Sequence, residues 1–381
     1  MSRIRSALAV TFALTISQSA GAVCPDFTSA VYDAGAAPRF VAVGDLNGDG
    51  RPDLVVANQN SSNISVLLGN ADGTFAHAVN YTAGDTPLSV DIGDVNGDGK
   101  ADVVVANYGT NNVSVFLGDG NGGLAAAINS NAVPDPFPVV IGDFNGDGKA
   151  DIAVSSDVLN AVAIMLGNGN GTFAAPVTYN AGAVPGAIAV ADFNGDKKAD
   201  LAVGNSSSTT VSLLIGNGDG TFKAPVNYST GGSEVRSVIA ADLNGDGNTD
   251  LIAGNGGSRN IAVLLGNGDG TFEPAVIYPV GGSPWSLSAA DVNGDRKLDI
   301  VAVNVFTNIS ILLGNGNGTF GPATNFNGGS SPRYVVAADF NGDGKADLAV
   351  ANGDFTIHSR NYLSILINSC PPPSRRHSVR H

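Results

Sequence analysis

The chain has 381 residues, of which 43% are hydrophobic and 51 are glycine, so it can form a large core and is rich in tight turns. Its formal net charge is −15, from 34 acidic and 19 basic residues, and this balance disfavours nucleic acid as a partner because phosphates require basic patches. Beyond the N-terminus, no apolar run reaches the roughly 18 residues that a transmembrane helix needs. The acidic residues are 32 Asp and only two Glu, which indicates turns and metal loops rather than a generally acidic surface.

Residues 1–22 have the pattern of a secretory signal peptide. Arg3 and Arg5 give a positive start, an apolar run covers residues 7–16, and Ala20-Gly21-Ala22 provides a small-residue cleavage site. A buried N-terminal helix is the alternative. We therefore expect a secreted protein, extracellular, periplasmic or on the cell surface, whose mature chain begins at Val23 with a net charge of −17.

One motif, Asp-x-Asn-Gly-Asp-x-x-x-Asp, occurs seven times at intervals of 48 to 50 residues. Its first residues are Asp45, Asp94, Asp143, Asp192, Asp242, Asp291 and Asp339. Self-similarity at so regular a period is typical of repeat architectures.

Each period predicts four short strands. In the unit around Asp192 they are Ala187–Ala191, Leu201–Gly204, Val211–Ile215 and Phe222–Tyr228, separated by Gly-, Asn-, Ser- and Pro-containing turns. Four antiparallel strands in about 50 residues describe a propeller blade, whereas a parallel β-helix has much shorter coils and an independent 49-residue domain could barely bury a core. The predicted fold is therefore all-β: a seven-bladed β-propeller of four-stranded antiparallel blades over residues 23–370.

The ends of the chain predict how the ring closes. The last unit has only three strands, ending at Leu363–Ile367, and the segment Phe27–Tyr32 resembles the fourth strand of the other units. The N-terminal strand should therefore complete the last blade and remove the free edges. The only two cysteines flank this junction, so we predict a Cys24–Cys370 disulfide formed in an oxidising compartment; two unpaired thiols at the chain ends are the alternative.

The repeated motif has the donors that calcium prefers. Positions 1, 3 and 5 of a tight loop can direct three side-chain oxygens at one centre, a carbonyl at position 7 adds a fourth, and an Asp at position 9 completes the shell. The opening half matches an EF-hand loop, but position 12 is Val or Ala rather than Glu, which excludes a flanking helix pair. Turns in which Asp and Asn cap their own backbone are the alternative. Seven Ca²⁺ ions would bring the mature charge to −3.

The predicted ligands are the first, third, fifth, seventh (through its carbonyl) and ninth residues of each loop. They are Asp45, Asn47, Asp49, Arg51 and Asp53; Asp94, Asn96, Asp98, Lys100 and Asp102; Asp143, Asn145, Asp147, Lys149 and Asp151; Asp192, Asn194, Asp196, Lys198 and Asp200; Asp242, Asn244, Asp246, Asn248 and Asp250; Asp291, Asn293, Asp295, Lys297 and Asp299; and Asp339, Asn341, Asp343, Lys345 and Asp347.

Two of the seven loops should bind calcium more weakly. Position 6 favours Gly for the sharp turn, and it is Gly in five loops but Lys197 and Arg296 in the loops that begin at Asp192 and Asp291. A non-Gly residue in the left-handed region costs roughly 1 kcal/mol, and the added cation lies near the metal.

These loops, together with Leu-Gly-Asn-Gly-x-Gly-Thr-Phe turns such as Leu265–Phe272, resemble the FG-GAP or VCBS repeats of integrin α-subunit propellers and of many secreted bacterial proteins. The resemblance covers about residues 26–369. It implies a propeller whose calcium loops are structural and lie on one face, and it does not identify a ligand.

A ligand site is expected on the opposite face, where the blade-to-blade connections lie. Residues there vary between blades and include Arg39, Phe40, Phe137, Arg236, Trp285, Arg333 and Tyr334, with His358 on a longer turn of the last blade. Aromatic and Arg residues clustered on one rim are typical of recognition surfaces, although the aromatic side chains could instead fill the central channel.

Catalysis has little support in the sequence. None of the four histidines, His77, His358, His377 and His381, forms a recognisable motif with a nucleophile, and no His/Cys set for zinc exists. The remaining possibilities are an extracellular protein-interaction or adhesion module, which we favour, a carbohydrate-binding propeller, and a polysaccharide-processing enzyme. A monomer is expected, and residues 371–381 are expected to form a Pro-rich, basic, disordered tail.

Overall fold

A computed structural model of the chain describes residues 24–353 and 361–370; the predicted signal peptide, the segment containing His358 and the predicted tail lie outside these ranges. The described residues form 28 strands and no helix. Consequently, no helix in these ranges is long and apolar enough to cross a membrane. The strands form seven separate four-stranded antiparallel sheets, which are the blades of a propeller.

Blades 1 to 6 each use four consecutive strands, and their bounds follow in chain order. They are β2 (Pro38–Gly44), β3 (Asp53–Asn58), β4 (Asn63–Leu67) and β5 (Val79–Thr82) in blade 1; β6 (Pro87–Gly93), β7 (Asp102–Asn107), β8 (Asn112–Phe116) and β9 (Ile128–Asn131) in blade 2; β10 (Pro136–Gly142), β11 (Asp151–Ser156), β12 (Ala161–Met165) and β13 (Val177–Asn180) in blade 3; β14 (Pro185–Ala191), β15 (Asp200–Asn205), β16 (Thr210–Leu214) and β17 (Val226–Ser229) in blade 4; β18 (Val235–Ala241), β19 (Asp250–Asn255), β20 (Asn260–Leu264) and β21 (Val276–Pro279) in blade 5; and β22 (Pro284–Ala290), β23 (Asp299–Asn304), β24 (Asn308–Leu312) and β25 (Thr324–Phe326) in blade 6.

Blade 7 combines the two ends of the chain. Its inner strands are β26 (Pro332–Ala338), β27 (Asp347–Asn352) and β28 (Tyr362–Asn368), and its outer strand is β1 (Phe27–Asp33). The pairing of β1 with β28 is antiparallel, with Phe27 opposite Asn368 and Asp33 opposite Tyr362. A disulfide joins Cys24 to Cys370, whose Cα atoms are 5.6 Å apart, and so links the two chain ends beside this pairing.

Burial falls from the second strand of each blade outward. All six residues of the second strand are buried in every blade, as in β7, whereas most residues of the fourth strands are exposed, as in β5. This burial pattern explains why the second strands are more apolar than the fourth strands. A strand covered on both faces requires a continuous apolar run, and an outer strand does not. Each fully buried Val, Leu or Ile stabilises the fold by about 1.5–3 kcal/mol.

The hydrophobic core consists of seven clusters, each packed between two neighbouring blades. One of them joins blade 1 to blade 7 through Val41, Leu54, Phe340 and Ile365, so the core is continuous around the ring. Aromatic contacts strengthen these interfaces. For example, Tyr228 of blade 4 packs edge-to-face on Phe272 of blade 5 at a centroid distance of 5.0 Å, and its Oη donates a hydrogen bond of 2.8 Å to the Gly270 carbonyl.

A buried polar network lies at the end of most blades where a turn joins the second strand to the third. In blade 2, the Asn107 amide nitrogen donates to Asn112 Oδ1 at 2.8 Å and to Ser114 Oγ at 2.7 Å, and Asn107 Oδ1 accepts from the Gly84 amide at 3.1 Å. Ser114 Oγ in turn donates to Asn129 Oδ1 at 2.7 Å. The network satisfies buried polar groups in the turn and joins the second, third and fourth strands of the blade to the connection that precedes its first strand.

The predicted fourth strand is partly wrong. Phe222–Tyr228 was expected to be continuous, but Phe222 forms an isolated bridge with Gly216 and β17 begins only at Val226. Two features explain the break: Phe222 is buried between blades, and Pro225 has no N–H to continue the strand pairing.

Candidate functional site

The seven Asp-rich loops connect the first and second strands of the blades and share one hydrogen-bond pattern. In blade 1, Asp45 accepts from the amides of Gly48 at 2.7 Å and Gly50 at 2.8 Å, and Asn47 Oδ1 accepts from the Asp49 amide at 3.0 Å. Asp49 Oδ1 accepts from the Arg51 amide at 2.9 Å. Short side chains at alternate positions thus fold the loop around one centre, as Asx turns do.

The ninth residue of each loop lies beneath that centre. Asp53 is fully buried, and its carboxylate accepts from the amides of Leu46 at 2.9 Å and Gly69 at 2.7 Å, which ties the loop to the Gly-rich turn of the same blade. Burial raises the pKa of Asp53, and the charges of Asp49 and Asp45 raise it further. Three carboxylates of one loop are therefore close enough to repel one another.

The loops have oxygen donors suited to calcium, but their carboxylates are directed at the backbone. Among the described residues, no three His, Cys, Asp or Glu side chains converge closely enough to form a ready metal site. The hydrogen bonds agree with the turn-capping alternative. They are also compatible with calcium, since a carboxylate oxygen has lone pairs for both an N–H and a cation. The donor set fits calcium: in blade 1, Asp45, Asn47, Asp49, the Arg51 carbonyl and Asp53 would hold it.

Cationic side chains already neutralise part of six of the seven loops. The residue at position 7 pairs with the Asp at position 5 in six blades, as in Arg51–Asp49 and in Lys345–Asp343 at 3.2 Å. In blade 5 position 7 is Asn248, and Asp246 accepts from the Asn244 amide nitrogen instead. These exposed pairs stabilise little individually, because water screens them.

Position 6 has the backbone conformation that the sequence predicted. The Gly residues there have positive φ, for example 78° at Gly148, and so do Lys197 with 64° and Arg296 with 67°. A Cβ at Gly148 would meet nothing within 4 Å. The cost of a side chain at position 6 therefore comes from the left-handed conformation and not from crowding.

The opposite face contains a cavity of about 420 Å³ at the mouth of the central channel. The sequence-predicted residues that line it all lie on the innermost strands, and they are Arg39, Phe40, Phe137, Arg236, Trp285, Arg333 and Tyr334. The eighth predicted residue, His358, lies outside the described residues. Strands from all seven blades thus bring together side chains that are up to 295 residues apart in the sequence.

Trp285 lies at the centre of three guanidinium groups. The Cζ atoms of Arg39, Arg236 and Arg333 are 4.8, 4.9 and 5.1 Å from the centre of its ring. Beside this cluster, Phe40 stacks on Tyr334 with centroids 3.6 Å apart. Two of the aromatic residues therefore pack against one another in the channel, while the indole is enclosed by cations.

Acidic groups lie in the turns that border the cavity. Asp157 Oδ2 accepts from Tyr108 Oη at 3.5 Å, and burial raises the pKa of Tyr108, with the charges of Asp157 and Asp135 adding to it. Deeper in the molecule, Asp91 on β6 accepts from the Ile141 amide at 2.8 Å, and burial raises the pKa of Asp91 to about 6. Tyr108, Asp135 and Asp157 were not predicted from the sequence, because their turns have no repeat-breaking feature and only the ring geometry brings them together.

The fold and the loops together define a family. The FG-GAP-like repeat matches residues 45–105, 94–154, 143–203, 192–253, 242–302 and 291–350, and the FG-GAP repeat matches residues 335–366. The chain therefore belongs to the FG-GAP repeat proteins, and it is a seven-bladed β-propeller of that family. A comparison with curated proteins gives no match.

Several solved structures share the fold. A lectin of Agrocybe aegerita that recognises non-reducing terminal N-acetylglucosamine is 23% identical, with a TM-score of 0.55, and the match covers 76% of this chain and 80% of the lectin. The lectin BP39L of Burkholderia pseudomallei is 16% identical, with a TM-score of 0.62 and coverages of 88% and 97%. A virginiamycin B lyase of Staphylococcus aureus is 14% identical, with a TM-score of 0.59 and coverages of 90% and 99%. At these identities the likeness concerns the fold alone.

Proposed function

We propose that the chain is a secreted, calcium-binding propeller that acts as an extracellular binding module and has no catalytic activity. The observation that carries this proposal is the cavity at the channel mouth, where Arg and aromatic side chains from the innermost strands surround one space. Concave sites of several hundred Å³ with a few polar groups are typical of ligand binding. Within the described residues the only histidine is His77, which is exposed and does not line this cavity.

The cavity favours a carbohydrate over a protein as the ligand. It is concave and small, whereas protein interfaces are broad surfaces of roughly 800 Å² per partner. Two of the structures that share the fold are lectins. A protein-interaction or adhesion role is the second candidate, and it is supported by Val158, Leu159 and Phe306, which are 59%, 45% and 57% exposed in turns on the same face.

A screen of calcium-loaded protein against glycans and extracellular proteins tests the binding role. Phe137→Ala, on the cavity wall, should abolish or strongly weaken binding, whereas Val226→Ala, on the exposed outer strand β17, is a matched control that should leave it unchanged. Equal binding by both variants, or no binding to any ligand, would contradict the proposal.

Calcium would neutralise the loop carboxylates and hold each loop in its folded shape. We expect Ca²⁺ to raise the unfolding temperature, because a ligand that binds only the folded state contributes about 2.7 kcal/mol per site at a hundredfold excess over Kd. Thermal unfolding in calcium, in magnesium and in a chelator measures this effect. Identical curves in all three would support turn capping without metal.

A further inference from the structure

Three of the six arginines in the described ranges meet in the cavity, although the whole chain has a net charge of −15. Stacking on Trp285 lowers the cost of bringing these guanidinium groups together, since the face of an indole attracts cations. It does not cancel their mutual repulsion, which grows as water is excluded.

The three arginines differ in the acceptors that their guanidinium groups contact. Arg236 pairs with Glu234 at 2.9 Å, and the Nε of Arg333 donates to the Gly353 carbonyl at 3.0 Å. Arg39 has no such partner: its Nη1 is buried and makes no hydrogen bond within the described residues. Burial and the charges of Arg333 and Arg236 lower the pKa of Arg39 to about 10. A buried guanidinium nitrogen without an acceptor is costly, and it indicates a position for an anion.

The acidic side of the cavity has a buried acceptor for which the described part of the chain supplies no donor. Asp157 Oδ1 is buried and accepts no hydrogen bond from the described residues, while Oδ2 accepts from Tyr108. Leu88 and Phe137 also line the cavity and give it an apolar surface. The residues that line the cavity therefore include a buried unused donor, a buried unused acceptor and an apolar surface for the face of a ring.

We propose that this cavity binds a carboxylate-bearing, hydroxylated ring, such as an acidic sugar. The carboxylate accepts from Arg39 Nη1, a ring hydroxyl donates to Asp157 Oδ1, and the ring packs on Leu88 and Phe137. Arg guanidinium groups suit this role because their planar donors match carboxylate geometry. This inference rests on the proposed binding function and specifies its ligand class. A free sugar acid and the acidic end unit of a polysaccharide share this chemistry.

The chain contains a single tryptophan, Trp285, so its fluorescence reports on this cavity alone. The protein is titrated with glucuronate, with neutral glucose, with an acidic oligosaccharide and with sulfate, at constant calcium. We expect a saturable change with glucuronate, at least tenfold weaker binding of glucose, and weaker binding at high salt. Tighter binding of the oligosaccharide than of glucuronate would identify a polysaccharide end, and the reverse order a free acid.

Arg39→Met keeps an unbranched apolar side chain similar to the stem of arginine and removes the guanidinium donors. It should weaken glucuronate binding tenfold or more, as expected for a charged hydrogen bond. The unliganded variant should unfold at the same or a higher temperature than the parent protein, because the repulsion is relieved. Arg259→Met, at an arginine that does not line the cavity, is the control and should change neither quantity.

Unchanged glucuronate affinity in Arg39→Met, equal affinity for glucose and glucuronate, or sulfate binding as tight as glucuronate would each overturn the proposal. So would a lower unfolding temperature of Arg39→Met together with retained binding, since this result defines a packing role. The glycan and protein screen can still find a neutral ligand whose binding is abolished by Phe137→Ala. In that case the proposed binding function stands and only the acidic ligand class is wrong.

Discussion

The backbone amide of Phe75 in blade 1 donates a hydrogen bond of 3.1 Å to Tyr32 Oη on the closing strand, and the two rings pack edge-to-face with centroids 5.6 Å apart. Because Tyr32 belongs to β1, this contact ties the N-terminal strand to the first blade as well as to the last. The closing strand is therefore held by two blades and by a disulfide.

Removing the disulfide should loosen this closure. Cys24→Ser/Cys370→Ser opens a loop of 346 residues, and the chain-entropy treatment gives a loss of at most about 6 kcal/mol in the free energy of unfolding. Urea unfolding measures the loss, and amide exchange should show β1 losing protection first. Tyr32→Phe, which removes one hydrogen bond, is the smaller perturbation and should cost about 1 kcal/mol. Mass mapping that found both thiols free would contradict the prediction.

The two loops with a side chain at position 6 should respond to its removal. Lys197→Gly removes the conformational cost of a non-Gly residue in the left-handed region, and it removes a charge near the centre of the loop. The calcium affinity of the loop that begins at Asp192 should therefore rise. Gly148→Lys is the mirror experiment and should weaken the loop at Asp143, since only the backbone conformation and the charge oppose it. Calorimetry counts the tight sites. Seven identical sites in the parent protein would refute the expected difference.

The buried network of blade 2 should matter for stability. Asn107→Ala removes the partner of the Gly84 amide and of Ser114 Oγ and leaves a void, so we expect a loss of about 2–4 kcal/mol. Asn121→Ala, in an exposed turn, is the control and should cost under about 0.5 kcal/mol. Chemical denaturation compares the two. A loss below about 1 kcal/mol for Asn107→Ala would mean that water replaces the network.

Asp91 should give a measurable pH dependence. Burial raises its pKa from 3.8 to about 6, so its ionised form is disfavoured in the folded protein. For this group, stability is greatest below the unfolded-state pKa and falls as pH rises through 6. Asp91→Asn removes this pH-dependent contribution to stability. The unfolding free energy of the variant minus that of the parent protein should therefore increase between pH 4 and pH 7.5, by at most about 3 kcal/mol. Unfolding free energies across this range measure the trend, and a constant difference would contradict it.

The sequence predicted the features that depend on the repeat. The spacing of the Asp residues predicted seven blades, and the unmatched strand Phe27–Tyr32 with the two cysteines predicted how the chain ends meet, because a regular period leaves few other arrangements. The predicted start of the fourth strand was wrong, since burial of Phe222 and the missing N–H of Pro225 outweighed the β-propensity of this segment.

The cavity was predictable only in part. The Arg and aromatic residues stood out because they interrupt a repeated position, but no spacing reveals that Arg39 and Arg236 share one indole. The Asn107 network had a sequence signal that was missed: Asn recurs at the end of the second strand in six of the seven blades. Whether the loops hold calcium depends on a balance between metal ligation and backbone capping that the pattern alone does not decide.

The Cys24–Cys370 disulfide also determines which face of the propeller would be directed toward a surface to which the chain is attached. The junction replaces the turn between the third and fourth strands, which in every other blade lies on the same face as the Asp-rich loops. A surface or tag attached through either end would therefore hold the ring by that face, with the arginine-lined cavity directed away from the support and open to large ligands.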